Sequence, residues 1–354
     1  MMMMMISARA SAASCRAALS SSSRSACASL RCFRYFGGLP RFQSRGVFSN
    51  GFFGGYSSGR YAARSPRHLI ETPRARGVHD FSLRGGRLPV RGLLRPLAFA
   101  GAVTLGSFTL AEIVNQERRA WWRQRKNKAR GGWMESVQRY ALRNPEKVSL
   151  IPLIALNGLV FAMWRVNPGS AFLARHFLNN PSSGRAAPLL LSTFSHVSLP
   201  HIAFNMYALM SFGNVMVEYL GPENFIACYL SAGVVSSFGS LAFSTFSSRL
   251  AVPSLGASGA ILGIVSMVAF ANPDLRFSIV LLPFTAMPAL YMVGGIAALD
   301  LTGLILGWRF FDHAAHLSGV LFGAWLINSN FKGYDLVRKY QHAVRDEWKK
   351  VRKL

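Results

Sequence analysis

The sequence predicts an all-α polytopic membrane protein, with one N-terminal transmembrane helix ahead of a six-helix core. The chain has 354 residues, of which 51% are hydrophobic and only 15% are charged, whereas a soluble domain carries about 25% charged residues. Apolar runs recur along the chain and are separated by polar connections. The net charge of +26 collects outside these runs, so it does not indicate a folded nucleic-acid-binding face.

Residues 1–75 have the composition of a mitochondrial transit peptide. Residues 1–70 contain ten arginines and many serines but no Lys, Asp or Glu, which is typical of a mitochondrial presequence. The apolar core of a secretory signal is absent near Met1. Only Cys228 lies beyond this leader, so the chain offers no disulfide framework or CxxC metal site. We expect residues 1–75 to be disordered and the rest to be a multi-pass protein of the mitochondrial inner membrane.

The remaining apolar runs divide the chain in order. Residues 96–114 are predicted to form the N-terminal transmembrane helix, 115–147 a basic connecting segment, 148–330 the core, and 331–354 a basic amphipathic tail. A spanning helix needs about 20 mostly apolar residues. By that measure the six core helices are predicted at about 148–164, 201–220, 224–246, 256–271, 283–306 and 311–327. The connection 165–195 is too polar to span, and we expect a structured loop that dips into the membrane surface.

Four polar side chains fall at similar depths in this core. Because helices alternate in direction, the second, fourth and sixth start on the same membrane face. His201 and Asn205 lie in the first turns of the second helix, Ser258 in the first turn of the fourth, and His316 a little way into the sixth. At 1.5 Å per residue, all four lie within roughly 10 Å of that face. Polar and ionisable side chains cost free energy inside a bilayer, so their presence there favours a functional interpretation.

The residue types match the parts of a serine hydrolase: a nucleophile, a base and hydrogen-bond donors. His316, Gly319 and Gly323 share one helix face, and small residues let membrane helices approach closely. The glycines 256, 259 and 263 bring the fourth helix close to a neighbour, but helical periodicity does not aim Ser258 at His316.

Several other polar residues admit structural roles. His196 precedes the second helix and is a candidate tether for the loop. Asp312 could orient His316 as a triad acid, although the N-cap of the sixth helix is the favoured interpretation. Asp300 reads as an interhelical hydrogen-bond partner rather than a catalytic group. A metal site is an alternative to consider, because the chain has histidines at 196, 201, 313 and 316. No HExxH motif occurs, however, and we expect neither metal nor cofactor.

Three ordered motifs closely resemble the rhomboid intramembrane serine proteases. They are His196-Val-Ser-Leu-Pro-His201-Ile-Ala-Phe-Asn205, Gly256-Ala-Ser258-Gly259 and Ala315-His316-Leu-Ser-Gly319-Val-Leu-Phe-Gly323. The stretch from Leu306 to Leu317 is similar to the mitochondrial, presenilin-associated rhomboid-like branch, and so are the transit peptide and the extra first helix. The resemblance covers about residues 146–330 and implies a rhomboid-like six-helix core.

The resemblance also implies roles for the site residues. Ser258 would be the nucleophile and His316 the base, in a dyad that requires no acid. His201, Asn205 and the backbone N–H of Ser258 would form the oxyanion hole. One departure is Leu262, since many bacterial relatives have there a tyrosine that stacks on the histidine. Asp312 or the backbone is left to orient His316. The set of candidate structural or orienting residues is His196, Gly256, Gly259, Asp312, Gly319 and Gly323.

The predicted function is therefore intramembrane proteolysis of single-pass inner-membrane proteins, with the lipid bilayer as the other partner and no nucleic acid. The competing interpretation is a proteolytically inactive rhomboid-like chaperone or adaptor that binds transmembrane helices; a channel or proton carrier is a more distant third. Orientation stays open: the positive-inside rule puts the basic segment 118–130 and the tail in the matrix, whereas a matrix N-terminus and one crossing at 96–114 would invert this. The oligomeric state is also open.

Overall fold

The computed structural model describes residues 6–9, 88–125, 132–247, 253–279, 282–328, 330 and 332–353. Apart from residues 6–9, the predicted transit peptide lies outside this described part. The described helices are α1 (Leu94–Arg125), α2 (Trp133–Arg143), α3 (Pro145–Val166), α4 (Ala171–His176), α5 (Ala187–Leu191), α6 (Leu199–Leu220), α7 (Pro222–Phe246), α8 (Ser258–Ala271), α9 (Ala289–Leu306), α10 (His313–Ile327) and α11 (Gly333–Lys353). Short 3₁₀ turns at Val90–Leu93 and Ser192–Phe194 precede α1 and follow α5.

The described part of the chain is predominantly helical, as expected for an all-α polytopic membrane protein. Within the described residues, four helical segments are long and apolar enough to cross a membrane: Val90–Trp121, Pro145–Val166, Pro222–Phe246 and Ala289–Leu306. The helices α8 and α10 are apolar but shorter. The count of one plus six crossings stays a prediction.

The helix α8 lies at the centre of the core. It contacts α6, α7, α9 and α10, and its residues from Gly259 to Ala269 are buried. Its 14 residues rise only about 21 Å at 1.5 Å per residue, less than the roughly 30 Å of a bilayer's hydrocarbon core. A helix this short is tolerated because protein, and not lipid, surrounds it.

Several predicted boundaries differ from the structure. The segment 115–147, expected as a connection, is largely helical, because α1 continues to Arg125 and α2 follows. The fifth core helix was predicted from residue 283 but starts only at Ala289, since prolines 283 and 288 disfavour helix in the residues before them. The sixth was predicted from residue 311 but starts at His313, because Asp312 caps it.

A small antiparallel sheet joins α8 to α9. The strands β2 (Arg276–Ile279) and β3 (Leu282–Pro288) form a hairpin, and β1 (Ile6–Arg9) pairs with the other edge of β2. Those four leader residues were expected to be disordered. They are ordered here because a hairpin edge presents unpaired N–H and C=O groups that another strand can satisfy.

The two ends of the helix bundle carry different features. Near the start of α7, Glu223 pairs with Arg118 of α1 at 2.8 Å and Asn224 accepts a hydrogen bond from Gln341 of α11 at 2.8 Å. Near its end, Ser240 donates to Asp312 at 2.6 Å. Residues 224 and 240 of one helix are about 24 Å apart. The basic amphipathic tail therefore packs as α11 against α1, at the end of the bundle opposite Asp312.

Candidate active site

Ser258 and His316 are in direct hydrogen-bond contact. Ser258 is the first residue of α8 and His316 is the fourth residue of α10. Ser258 Oγ lies 2.8 Å from His316 Nε2. A nucleophile within about 2.6–3.2 Å of its base is the geometry that serine hydrolysis needs. The structure therefore brings together two residues that the sequence could place only at equal depth.

Facing glycines hold α8 against α10. A Cβ on Gly319 would collide with the carbonyl oxygen of Gly259, and a Cβ on Gly323 would collide with that of Gly263. This close approach of two backbones is the small-residue packing of membrane helices. Gly259 follows Ser258 directly, so the contact of the helices at Gly259 and Gly319 also brings Ser258 to His316. The glycines 259 and 263, whose facing partner periodicity could not identify, thus pack on α10.

Gly256 shapes the turn before the serine. The sequence predicts the helix from residue 256, but Gly256 lies before α8, which starts at Ser258. Its φ of +134° is a backbone conformation that favours glycine. A Cβ there would lie 2.8 Å from His201 Cε1. Its N–H donates to the carbonyl of Ser192 at 2.9 Å. Gly256 therefore gives the His201 ring room beside the serine.

His196 links the two candidate oxyanion-hole elements. Its Nε2 accepts from Asn205 Nδ2 at 3.0 Å and from the Ala257 N–H at 3.4 Å. The His201 ring meets it edge-on, with centroids 4.8 Å apart. Burial, followed by the neighbouring His201, lowers the pKa of His196 to about 3. His196 is therefore a neutral acceptor that orients Asn205 and the turn before Ser258, which goes beyond tethering the loop.

The connection 165–195 is structured and supports the same turn. Asn179 and Ser254 exchange two backbone hydrogen bonds of 2.9 Å. Trp164 Nε1 donates to Ser195 Oγ at 2.6 Å in a buried position. The loop thus fixes both the residue before His196 and the approach to Ser258, while its contact with the membrane surface stays a prediction.

Asp300 and Phe311 contact His316 on its other side. His316 Nδ1 lies 3.2 Å from Asp300 Oδ1, and the Phe311 ring stacks on the imidazole at 6.1 Å and 28°. The sequence did not assign Asp300 to the site. Its depth in the helix bundle could have pointed to the site. Asp300 lies six residues before α9 ends and His316 is the fourth residue of α10, so the two lie at similar depths.

Asp312 caps α10, and its hydrogen bonds are to residues other than His316. Its Oδ1 accepts from the Ala315 N–H at 3.0 Å and its Oδ2 accepts from Ser240 Oγ at 2.6 Å. Both oxygens are engaged elsewhere. The triad-acid alternative for Asp312 therefore has no support, and the favoured N-cap interpretation describes the contact that the structure contains.

A cavity of about 450 Å³ adjoins Ser258, His201 and His316. Its wall includes the aromatic side chains of the α9–α10 connection, of which Phe310 is 64% exposed. Large apolar side chains exposed together mark a surface for an apolar partner. The site thus brings together a serine hydroxyl, an imidazole, hydrogen-bond donors and an apolar cavity wall.

Comparison with known proteins identifies the family. The Rhomboid domain matches residues 183–331. Presenilin-associated rhomboid-like protein A, mitochondrial, of Danio rerio is 44% identical over 203 residues, 57% of this chain and 52% of the relative. The Rattus norvegicus presenilin-associated rhomboid-like protein is 38% identical over 279 residues, 75% and 73% of the two chains. Rhomboid protein 1, mitochondrial, of Saccharomyces cerevisiae is 31% identical over 182 residues, 50% and 52%.

The chain belongs to the rhomboid family. Its similarity is to the mitochondrial presenilin-associated rhomboid-like proteins, although it spans only about half the length of the Danio rerio relative. Together with the apolar helices, the relatives identify a multi-pass mitochondrial membrane protein. Family membership supports a rhomboid-type intramembrane protease role.

Proposed function

We propose that the chain is a serine endopeptidase that cleaves transmembrane segments of mitochondrial inner-membrane proteins with a Ser258–His316 dyad. The observation that carries the proposal is the 2.8 Å contact between Ser258 Oγ and His316 Nε2. A non-catalytic chaperone or adaptor has no need of this contact, and no feature of the site favours that alternative.

In the proposed reaction, His316 Nε2 takes the proton from Ser258 Oγ as the oxygen attacks the scissile carbonyl. The protonated base then gives that proton to the leaving amine, and an acyl-enzyme forms. A water molecule, deprotonated by His316, then attacks the acyl carbon. The ester bond to Ser258 Oγ breaks, His316 gives its proton to that oxygen, and the new carboxyl terminus is released. Each step returns its proton, so the serine and the histidine end in their starting states.

The oxyanion is stabilised by donors at the start of α8 and α6. The N–H of a first helical residue has no intrahelical acceptor, so the Ser258 N–H is available. Asn205 Nδ2 has two hydrogens, and the bond to His196 uses one of them. His201, whose ring lies beside Gly256, completes the set. Removing one such donor typically lowers kcat by about 10²–10³-fold.

The substrate must expose its scissile bond before attack. All backbone groups of a membrane-spanning helix are bonded internally, and a carbonyl in an intact helix is shielded from Ser258. The proposed substrates are therefore single-pass proteins whose helix unwinds readily near the membrane surface. The apolar cavity wall would receive the unwound segment.

A fluorophosphonate probe tests the nucleophile directly, because it labels only an activated serine. The wild-type protein should be labelled, and Ser258→Ala and His316→Ala should not. Ser266→Ala is the matched control, since Ser266 lies on the same helix and donates its hydroxyl to the carbonyl of Val320. Equal labelling of Ser258→Ala and wild type would refute the assignment.

A further inference from the structure

Asp300 is a buried carboxylate that the dyad mechanism leaves without a role. It is 3% exposed and lies in the middle of α9. Its Oδ1 is 2.7 Å from His313 Nδ1 and 3.2 Å from His316 Nδ1. Burying a charge or a polar group in a membrane protein is costly, so a carboxylate held between two histidines is a candidate for function.

The contacts of the two ring nitrogens of His316 suit one tautomer. With Asp300 as a carboxylate, Oδ1 only accepts hydrogen bonds, so the 3.2 Å contact is a hydrogen bond when His316 carries its proton on Nδ1. That leaves Nε2 of the neutral ring as an acceptor, and Nε2 is the atom that faces Ser258 Oγ at 2.8 Å. The Asp300 contact thus selects the tautomer that proton transfer from Ser258 needs.

We propose that Asp300 is a positioning residue for the base, acting through His316 as the carboxylate of a Ser-His-Asp triad does. It would hold the Nδ1–H tautomer and stabilise the imidazolium that forms when Ser258 gives up its proton. This role rests on the proposed protease function. It also supplies the orientation that a stacking tyrosine would give where this chain has Leu262.

His313 holds the Asp300 carboxylate in place. Its contact to Asp300 Oδ1 is the shorter of the two, and its ring is packed by the aromatic residues Phe310 and Phe311 of the α9–α10 connection. On the α9 side, a Cβ on Gly303 would lie 2.6 Å from His313 Nε2, so the glycine leaves room for the ring. A carboxylate anchored in this way is aimed at His316 before any substrate binds.

Paired carboxylate-to-amide variants test the proposal, namely Asp300→Asn against Asp312→Asn. We expect Asp300→Asn to lower kcat on a transmembrane reporter by about 10²-fold with KM unchanged, less than the roughly 10⁴-fold for a triad carboxylate, because 3.2 Å is a long contact. Fluorophosphonate labelling should slow in parallel. Asp312→Asn retains a good N-cap and should change kcat less than about twofold. The reverse order of effects would overturn the proposal.

The conservative variant and the wild-type protein provide two further readouts. Asp300→Glu retains the carboxylate and should restore part of the kcat lost in Asp300→Asn, which a purely structural role would not require. If Asp300→Asn does not fold, ¹⁵N NMR of the wild-type imidazoles decides, because His316 must carry its proton on Nδ1 and not on Nε2. If the wild type is labelled at Ser258 and Asp300→Asn keeps the wild-type kcat, only the role of Asp300 is refuted. If the wild type is not labelled, the proposed protease function itself is refuted.

Discussion

At the scale of single residues, His196 contributes to the site as a neutral side chain. It is fully buried in the connection before α6 and its Nε2 accepts hydrogen bonds from Asn205 and Ala257. Protonation of Nε2 would break both bonds, because an imidazolium has only donors. Burial, followed by the neighbouring His201, lowers the pKa of His196 to about 3, so the ring is neutral and both bonds persist at neutral pH.

This lowered pKa makes stability depend on pH. Between 6.5, the ordinary pKa of histidine, and about 3, the unfolded state binds a proton that the folded state does not. The contribution of neutral His196 to the free energy of unfolding is therefore fully present above pH 6.5 and is lost as the pH falls toward 3. We expect the free energy of unfolding to decrease by up to about 1.4 kcal/mol per pH unit in this window.

The control is His196→Gln, which can still accept from Asn205 but does not titrate. Denaturant unfolding in detergent at pH 7 and pH 5 should give a smaller pH effect for this variant than for the wild type. An equal slope in both proteins would show that His196 is not the group responsible.

Residue spacing located the candidate site but not its contacts. The depth of Ser258, His201, Asn205 and His316 follows from helix alternation, and the structure gathers them at one end of α6, α8 and α10. Asp300 was assigned only an interhelical bond, because a sequence does not give the rotation of α9 about its own axis. That rotation brings Asp300 to His316, while Asp312 caps α10.

At the scale of elements, the contact between α8 and α10 determines the distance between Ser258 and His316. The pairs Gly259–Gly319 and Gly263–Gly323 let the two backbones touch. Hydrophobic association adds little between helices in lipid, so close packing of this kind carries the interaction. Periodicity predicted the face of α10 that takes part but not its partner on α8.

Gly319→Ala should separate the two helices and impair the dyad. The added methyl would collide with the backbone oxygen of Gly259, which cannot swing aside as a side chain can. Overpacking of this kind costs about 1–3 kcal/mol, and we expect a loss of fluorophosphonate labelling larger than the loss of thermal stability.

Gly294→Ala is the matched control for this substitution. Gly294 lies in α9 with nothing within 4 Å of an added Cβ, so the variant should be neutral or slightly more stable. Full labelling of Gly319→Ala would contradict the role given to the α8–α10 contact.

Other elements could not be read from hydrophobicity alone. The run 283–306 is mostly apolar, yet its first part is β3, because the prolines there interrupt helix and the hairpin offers partners for the backbone. Likewise α1 extends past its apolar stretch to Arg125. Its polar end is stabilised by α11, since Trp348 Nε1 donates to Glu117 Oε1 at 2.8 Å, a contact between residues 231 positions apart.

At the scale of the whole molecule, the candidate site and the basic α11 lie at opposite ends of the bundle. Arg185, in the connection beside the site, is exposed, and Lys350 of α11 is 70% exposed. We expect single cysteines at these two positions to be reached from opposite sides of the membrane by an impermeant maleimide. The leader cysteines 15, 27 and 32 would be replaced by serine, and Cys228 is buried.

Labelling of mitoplasts gives both the sidedness and the orientation. The positive-inside rule puts Lys350→Cys in the matrix and leaves Arg185→Cys accessible, whereas a matrix N-terminus gives the reverse. Either result agrees with the fold, provided that only one cysteine reacts before the membrane is permeabilised. Reaction of both in sealed mitoplasts would contradict the separation of the two ends.

The central claim is that Ser258 and His316 cleave a transmembrane segment. The most direct measurement reconstitutes the full-length protein in lipid vesicles with a single-pass reporter and follows cleavage on a gel. The wild type should cleave within the reporter's membrane segment, while Ser258→Ala, inserted to the same level, should not cleave. Undiminished cleavage by Ser258→Ala, or no cleavage by wild type of any single-pass reporter with a helix-destabilising membrane segment, would contradict the account.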